Sequence, residues 1–393
     1  MSKARVIALY LPQYHPIPEN NKYWGEGFTE WTNVAQARPL FKNHYQPRIP
    51  ADLGFYDLRL PIIRKQQAEL AKEAGIEGFC YWHYWFGGGK EVLQMPFDEV
   101  VKSKEPDFPF CLGWALHDWT TKTWEKGSAI QKDTVIFKQT FPSEEDDIKH
   151  FYRLLDAFKD ERYIKVDGKL LFAILVPQAM PEPKRFMDLW NELAKENDLP
   201  GFHFVGIIDS MPEINNNNIN NIDKAVDDNI NKAKAMGFDA IGTTGQKYAE
   251  LKTGGKMRKL LFAAARRIAP GALIDKYDYS KIMNNFYSPS DSREDVYPQL
   301  LSGWDRSPRS GRKAIIYYNN TPDAFKKAAQ NAVDCVKNKA PEHRIIFLNS
   351  WNEWGEGAYM EPDLKYGKGK IKALKKILSL SLIHISEPTR PLY

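Results

Sequence analysis

Two glutamates, Glu353 and Glu356, stand three positions apart in the segment 349–363, NSWNEWGEGAYMEPD. In an extended strand, residues i and i+3 point to opposite faces, so these carboxyls meet only where the backbone turns. Gly355 and Gly357 favour such a turn, because glycine accepts positive φ angles. Two carboxyls on a turn beside large aromatic rings can cleave a glycosidic bond, one protonated to assist the leaving oxygen and the other charged. The alternative is a solvated turn whose tryptophans fill nearby core, since paired acids on loops are common.

The elements that must position this segment form a repeating pattern. Residues 344–348 are apolar and β-branched without alternation, which is typical of a parallel strand covered on both faces. Similar runs predict seven earlier strands: 5–11, 76–81, 108–115, 170–176, 203–208, 238–242 and 296–302. Helical apolar spacing predicts helices among them: 58–74, 97–103, 144–158, 183–197, 223–236, 322–337 and 369–380.

Strand and helix thus alternate about eight times, and polar-aromatic segments follow strands one, two, three, seven and eight. This order predicts a single-domain α/β fold, a (β/α)₈ TIM-like barrel with long β→α loops and a site at the carboxyl ends of its strands. An open doubly wound sheet is the alternative, but no dinucleotide-binding glycine fingerprint is present.

The aromatic residues are concentrated near predicted strand ends. Of the 11 tryptophans, only Trp190 lies in a helical pattern, and the others fall just after predicted strands or in the loops that follow. Aromatic faces at loop ends suit stacking on sugar rings or on nucleic-acid bases. The net charge of +5 is small and the lysines are scattered, which favours sugars over bases and gives no electrostatic case for nucleic acid or a membrane as a main partner.

Composition limits the class of protein further. With 43% hydrophobic and 27% charged residues, the chain is typical of soluble globular proteins. Cys80, Cys111 and Cys335 are widely spaced, which predicts reduced thiols and no zinc site. No apolar run is long enough to span a bilayer, and the first strand begins too early for a signal peptide, so we expect a cytoplasmic protein without an integral membrane segment.

Further candidates lie in the connections after the strands. Glu30, beside Trp31 in a long irregular loop, is expected either to hold a sugar hydroxyl or to pair with an arginine such as Arg38. His83 could be a ligand or an acid, although a structural histidine is more common. The full set of candidate substrate contacts is Tyr14, Glu30, Trp31, Trp82, His83, Tyr84, Trp114, Trp304, Asp305, Asn352 and Trp354.

Three segments are expected to stay outside the site. The basic helical stretch 256–268 is interpreted as a solvated helix, and the asparagine-rich stretch 215–221 as a mobile surface loop. Residues 381–393, SLIHISEPTRPLY, resemble the translation of a sequencing adapter. We therefore assign residues 1–380 to the domain and residues 381–393 to a non-native tail.

Several motifs together carry a family resemblance: IALYLPQYHPIPENNKYWGEGFTEWTNV, GFCYWHYWF, YIKVDGK, GWDRSPR and NSWNEWGEGAYMEPDLKYG. They resemble the WbsX group, which is similar to glycoside hydrolase family 99, the endo-α-mannosidases and endo-α-mannanases. The resemblance implies a (β/α)₈ barrel and retaining hydrolysis of α-linked, mannose-type glycans through a 1,2-anhydro sugar, without metal or other cofactor. By motif position, Glu353 would deprotonate the sugar 2-hydroxyl, and Glu356 would protonate the leaving oxygen and later activate water.

One motif departs from the group. Many WbsX-like chains carry WANENW after strand three, where this sequence has Trp114, Ala115, Leu116, His117, Asp118 and Trp119. A polar contact is therefore lost at Leu116, which implies a different substrate preference.

Two other functions stay open at this stage. The WbsX group is also described as glycosyltransferases of O-antigen, lipopolysaccharide or capsule synthesis, and the absence of a signal peptide favours that role. A nucleotide-sugar transferase commonly has a DxD-type metal site or a basic helix N-terminus for the diphosphate, whereas Asp227 and Asp228 lie within a predicted helix. The third possibility is a non-catalytic carbohydrate-binding barrel, expected if the two carboxyls diverge.

Overall fold

A closed barrel of eight parallel strands dominates the computed structural model, which describes residues 4–120, 134–212, 221–269 and 271–383. Strands β1 and β8 pair in parallel from Arg5 opposite Ile345, and β1 also pairs with β2, which closes the sheet. The predicted (β/α)₈ barrel is therefore confirmed. The strands are β1 Arg5–Tyr10, β2 Gly78–Trp85, β3 Phe110–Ala115, β4 Lys169–Leu175, β5 Phe202–Asp209, β6 Ala240–Thr244, β7 Val296–Leu301 and β8 Ile345–Asn349.

The strand sequences do not alternate between polar and apolar residues, because each strand is covered on both faces. All five residues of β8 are buried, as are the middle five residues of β4. One face of each strand fills the barrel interior and the other packs under helices. Strand β6 begins at Ala240, two residues later than predicted, and just ahead of it the Asp239 carboxylate accepts a hydrogen bond from the Phe204 amide.

Helices cover the outside of the barrel close to their predicted bounds. The first of the longer helices begins at Pro61 and ends at Ala74, and Gly75, with a left-handed φ of 83°, forms its C-terminal cap. The longer helices are Pro61–Ala74, Met95–Ser103, Glu144–Phe158, Pro183–Glu196, Ile222–Lys234, Gln246–Ile268, Pro322–Val336 and Gly369–Ile383.

The long connection after β1 is more regular than predicted. It contains two short helices, Pro18–Trp24 and Glu30–Gln36. A proline at the first helical position begins one, and a capping box between Thr29 and Thr32 begins the other. Each helix has seven residues, too few for a helical period to show in the sequence.

A small accessory sheet lies between the last barrel strands. It joins Asp275–Asp278, Ile315–Tyr318 and Trp304–Asp305, which lie outside the barrel sheet. Helix Gln246–Ile268 leads into this sheet and changes direction at Gly255, where φ is 72°.

The last helix, Gly369–Ile383, passes the predicted domain boundary at residue 380. Residues 215–220 of the predicted asparagine-rich loop and residues 384–393 of the predicted tail lie outside the described residues. Within the described ranges, the helices lack the combination of length and apolar character needed to cross a bilayer.

Candidate active site

A cavity of about 400 Å³ opens at the carboxyl ends of the barrel strands. This is the end at which (β/α)₈ barrels carry their sites, and the volume falls within the range of about 300–1,000 Å³ typical of ligand pockets. Polar and aromatic side chains from many strand ends line it: Gln13, Trp82, Tyr84, His117, Trp119, Gln246, Gln299, Trp304, Arg306, Arg309, Asn349, Glu353 and Glu356.

The turn after β8 brings the two predicted catalytic carboxyls to this cavity. Asn352–Glu353 pairs with Ala358–Tyr359 as a small hairpin, and the 3₁₀ turn Trp354–Glu356 joins the two strands. Gly357 ends the turn with φ of 64°, as its sequence position predicted. Glu353 and Glu356 therefore face one space, the convergence on which the enzymatic interpretation depends.

Gly355 is required for a different reason from the one predicted. It is absent from the positive-φ glycines of the turn, but a Cβ atom on it would lie 1.6 Å from Glu30 Oε1. Only a glycine leaves room for the Glu30 carboxylate against the turn. The first loop of the barrel is thereby packed directly against the segment that carries the two glutamates.

Arg309 connects three carboxylates at the base of the cavity. Its Nη1 donates to Glu356 Oε1 at 2.7 Å and to Glu353 Oε1 at 3.3 Å, and its Nε donates to Glu30 Oε1 at 2.8 Å. Both Arg309 and Glu30 are almost completely buried. Glu30 thus pairs with Arg309 and not with Arg38, and this pair fixes the guanidinium that holds both cavity carboxyls.

The two cavity carboxyls have different electrostatic surroundings. Burial raises the pKa of Glu353 to about 8, and the nearby charge of Glu356 adds to the rise, while Arg309 opposes it. Glu356 Oε1 is contacted by two guanidinium groups, Arg309 at 2.7 Å and Arg306 at 3.0 Å. At neutral pH, Glu353 is mostly protonated. Unequal environments of this kind allow two carboxyls to take different roles.

Three of the predicted substrate contacts line the cavity together with the glutamates: Trp82, Tyr84 and Trp304. Trp82 and Tyr84 share a face of β2 because side chains two apart in a strand point the same way. Burial raises the pKa of Tyr84, and the charge of Glu353 adds to this effect, so its hydroxyl stays protonated and can donate a hydrogen bond. The cavity therefore has aromatic walls, and the carboxyls of Glu353 and Glu356 lie at its floor.

Four predicted contacts lie beneath the turn and do not reach the cavity. Asn352 exchanges two hydrogen bonds with the backbone of Leu11, and the Tyr14 hydroxyl donates to the Asn352 carbonyl and accepts from the Trp354 amide. Trp354 stacks on Tyr359 at 3.8 Å, and the indole of Trp31 donates to a backbone carbonyl. These side chains are buried, so they support the turn instead of contacting a ligand.

His83 and Trp114 point away from the cavity. His83 contacts His150 at 2.8 Å between ring nitrogens, and burial lowers its pKa to about 3, so it is a neutral structural histidine. Trp114 is buried, and its indole donates to the Trp85 carbonyl. Neither is in position to bind a substrate in the cavity.

Asp305 is fully buried behind the cavity wall and is likewise structural. Its Oδ2 accepts hydrogen bonds from Gln46 at 2.8 Å and from Arg48 at 3.2 Å, and contacts His44 Nε2 at 2.9 Å. Burial alone would raise the pKa of Asp305, but the hydrogen bond with His44 and the charge of Arg48 outweigh burial and hold it well below its ordinary value. Asp305 thus fixes the segment between Trp304 and Arg309.

Five polar residues of the cavity were not predicted from the sequence: Gln13, Gln246, Gln299, Arg306 and Arg309. The available signal was the GWDRSPR motif at 303–309, whose charged residues follow strand β7. Among the described residues, no group of three or more histidine, cysteine, aspartate or glutamate side chains is arranged to hold a metal ion.

The family model described as "Glycosyltransferase WbsX" matches residues 6–374. Two curated relatives from Xanthomonas campestris pv. campestris, strains B100 and ATCC 33913, are both described as "Uncharacterized protein WxcX". Each is 31% identical over 378 residues, which cover 96% of this chain and 50% of the relative. The chain thus spans about half the length of the curated relatives it matches.

Solved structures share the fold at low sequence identity. A "glycoside hydrolase-like protein" matches with a TM-score of 0.56 at 13% identity, covering 96% of this chain and 94% of that one. A GH99 endo-alpha-mannosidase from Bacteroides thetaiotaomicron, solved with bis-tris-propane, matches with a TM-score of 0.50 at 14% identity, covering 98% of this chain and 100% of that one. These matches show that the chain shares a barrel fold with both proteins.

Proposed function

The chain belongs to the family described as Glycosyltransferase WbsX, and from this premise we propose that it is an enzyme that hydrolyses α-linked, mannose-type glycans with retention of configuration. One observation carries the proposal: Glu353 and Glu356 leave a single turn, line the same cavity and share Arg309. The aromatic walls of the cavity and the barrel shared with an endo-alpha-mannosidase support it.

The proposed reaction uses the substrate's own 2-hydroxyl as the nucleophile. Glu353 accepts the proton of this hydroxyl while its oxygen attacks C1, and Glu356 gives a proton to the departing glycosidic oxygen. Water then opens the 1,2-anhydro sugar, with Glu356 taking a proton from the water and Glu353 returning its proton to O2. A carboxylate whose pKa is about 8 accepts a hydroxyl proton more readily than an ordinary one. Substrate-assisted routes of this kind are recognised exceptions to the scheme with a carboxylate nucleophile.

The roles of the two glutamates predict the direction of the pH dependence. Only ionised Glu353 can act as the base, and a glycoside with a good leaving group does not need protonated Glu356 as an acid. For such a substrate, kcat/KM should rise about tenfold per pH unit until the pH approaches the pKa of about 8. The measurement is kcat/KM for a glycoside with a good leaving group between pH 5 and pH 9. A fall in kcat/KM as Glu353 ionises would make Glu353 the acid and contradict this assignment.

Substitution of Glu356 tests the pair directly. Glu356→Gln keeps the shape of the side chain but cannot supply a proton, so hydrolysis of an ordinary glycoside should fall by about 10²–10⁴-fold. Affinity for an intact oligosaccharide, measured by calorimetry, should change little. A glycoside with a good leaving group needs no acid and should recover much of the rate. Glu192→Gln, an exposed change on the outer helix Pro183–Glu196, is the matched control. Unchanged turnover by the Glu356 variant would refute the proposal.

The family description keeps glycosyl transfer as a second candidate. A nucleotide-sugar diphosphate needs available positive charge, whereas both arginines that line the cavity are paired with glutamates. The deciding experiment incubates the protein with mannans and bacterial surface polysaccharides, with and without nucleotide sugars, and analyses the products. Hydrolysis products in both arms support our proposal, products only with nucleotide sugar indicate a transferase, and binding without any product indicates a carbohydrate-binding barrel.

A further inference from the structure

An exposed apolar stripe runs along the outer segment, residues 256–268, which follows the change of direction at Gly255. Met257 is 78% exposed, Leu260 55%, Leu261 58% and Ile268 85%. At 3.6 residues per turn, these four side chains lie within about 100° of one helix face. Large apolar side chains grouped on one exposed face indicate an interaction surface.

Positive charge borders this stripe. The sequence 251–274 holds six basic residues and no acidic one. On the opposite side of the helix, Arg258 pairs with Asp275 at 3.0 Å and Lys259 pairs with Glu250. Lys256 and Arg267 are exposed along one edge of the stripe, and neither forms an ion pair with a described residue. The outer segment therefore combines an apolar face with an uncompensated basic edge.

We propose that the outer segment docks on a lipid surface that contains anionic headgroups. A basic amphipathic helix lying in the plane of a membrane buries its apolar face near the acyl boundary and places its lysines and arginines among acidic headgroups. A second copy of this chain fits less well. Two stripes packed against each other about a twofold axis would bring like charges of Lys256 and Arg267 together.

The placement of the outer segment connects this surface with the barrel mouth. Its helix begins at Gln246, which lines the cavity after β6. Its far end leads into Asp275–Asp278, part of the accessory sheet that also contains the cavity residue Trp304. Both ends of the outer segment are thus joined to the end of the barrel that holds the cavity. This proposal gives the segment 256–268, which the sequence predicts as a solvated helix, a role as a peripheral membrane-binding surface.

Vesicle flotation of the full chain tests the charge requirement. The protein should float with vesicles of phosphatidylglycerol and phosphatidylcholine and not with phosphatidylcholine alone. The double variant Lys256→Glu/Arg267→Glu should lower the partition coefficient by at least about 25-fold, since each basic residue near an anionic surface contributes about fivefold. Lys375→Glu/Lys376→Glu, at two exposed lysines of the last helix, is the matched control and should float like the wild type.

A second pair of variants tests the apolar stripe. Met257→Ser/Leu261→Ser should reduce flotation at least tenfold, while Leu60→Ser/Leu364→Ser, at equally exposed leucines elsewhere, should not. Circular dichroism melts and hydrolysis of a soluble glycan should be unchanged in all variants, which separates this proposal from the catalytic one. The proposal is overturned if the wild type floats no better with anionic than with neutral vesicles, or if the stripe variants float like the wild type. A dimer that does not float and that the stripe variants dissociate would assign the surface to a second copy and also overturn it.

Discussion

Glu353→Gln should make the protein more stable, and increasingly so as the pH rises. The folded state raises the pKa of Glu353 from its ordinary 4.5 to about 8, so folded protein binds this proton more tightly than unfolded protein does. The stability associated with that proton is present below pH 4.5 and is lost as the pH rises through about 8. Glutamine has the same shape and never ionises, so the variant avoids this loss.

The size of the effect follows from the pKa difference. By linkage, the ionisation of Glu353 lowers the free energy of unfolding by about 1 kcal/mol at pH 5 and by about 5 kcal/mol at pH 9. Its side chain is only 15% exposed, so solvent screening leaves most of this cost in place. At an unfolding entropy of about 2.1 cal/mol/K per residue, the 393-residue chain changes its Tm by about 1.2 °C per kcal/mol. The Tm advantage of the variant should therefore grow by about 5 °C between pH 5 and pH 9.

Differential scanning calorimetry of the wild type and the variant at pH 5, 7 and 9 measures this growth. Glu361 also has a raised pKa, about 7, caused chiefly by burial, but it is present in both proteins and cancels from their difference. Glu192→Gln is the control and should show a constant Tm difference. A Tm advantage of Glu353→Gln that is the same at pH 5 and pH 9 would refute an elevated pKa for Glu353. The predicted rise of kcat/KM with pH, which uses that pKa, would then be contradicted as well.

Three further predictions follow from the contacts around Arg309. Gly355→Ala places a methyl group against the Glu30 carboxylate and breaks its 2.8 Å bond to Arg309, so urea unfolding should show a loss of at least about 2 kcal/mol. Arg309→Met leaves Glu30 buried without its charge partner and should cost about 3–5 kcal/mol, part of which Arg309→Met/Glu30→Gln should recover; equal stability of the single and double variants would contradict the pairing. Trp304→Ala removes an aromatic wall, so KM for an oligosaccharide should rise at least fivefold with kcat nearly unchanged, and an unaltered KM would exclude Trp304 from binding.

The barrel was predictable because its signal is repeated and local. Eight unbroken apolar runs, separated by helical spacing, follow from burying each strand on both faces. The meeting of Glu353 and Glu356 was also predictable, since a glycine-containing turn that follows a barrel strand lies at the carboxyl-end mouth of the barrel. Gly357 fulfils the conformational role assigned to it, whereas the reason for Gly355 lies in Glu30, a residue more than 300 positions away.

The aromatic contacts were harder to predict because a position near a strand end does not determine the direction in which the side chain points. Trp82 and His83 are neighbours in β2, yet the alternation of a strand sends one into the cavity and the other toward the helices. Trp31 and Trp354 follow strand ends as Trp304 does, but they pack beneath the loops. Long loops over a barrel mouth need a core of their own, and aromatic side chains supply it.

Arg309 explains how this barrel mouth can hold three carboxyls in a space largely closed to water. An isolated buried carboxylate is too costly to remain ionised, so each such group must be paired or protonated. Arg309 reaches Glu30, Glu353 and Glu356, and Arg306 adds a second guanidinium at Glu356, so two positive charges face three carboxyls. The shortfall falls on Glu353, whose contact with Arg309 is the longest at 3.3 Å and whose pKa is raised by burial and by the charge of Glu356. A deficit of one positive charge therefore places a single exchangeable proton on the two cavity carboxyls, and the proposed cleavage requires that proton on Glu356 when the 2-hydroxyl is deprotonated.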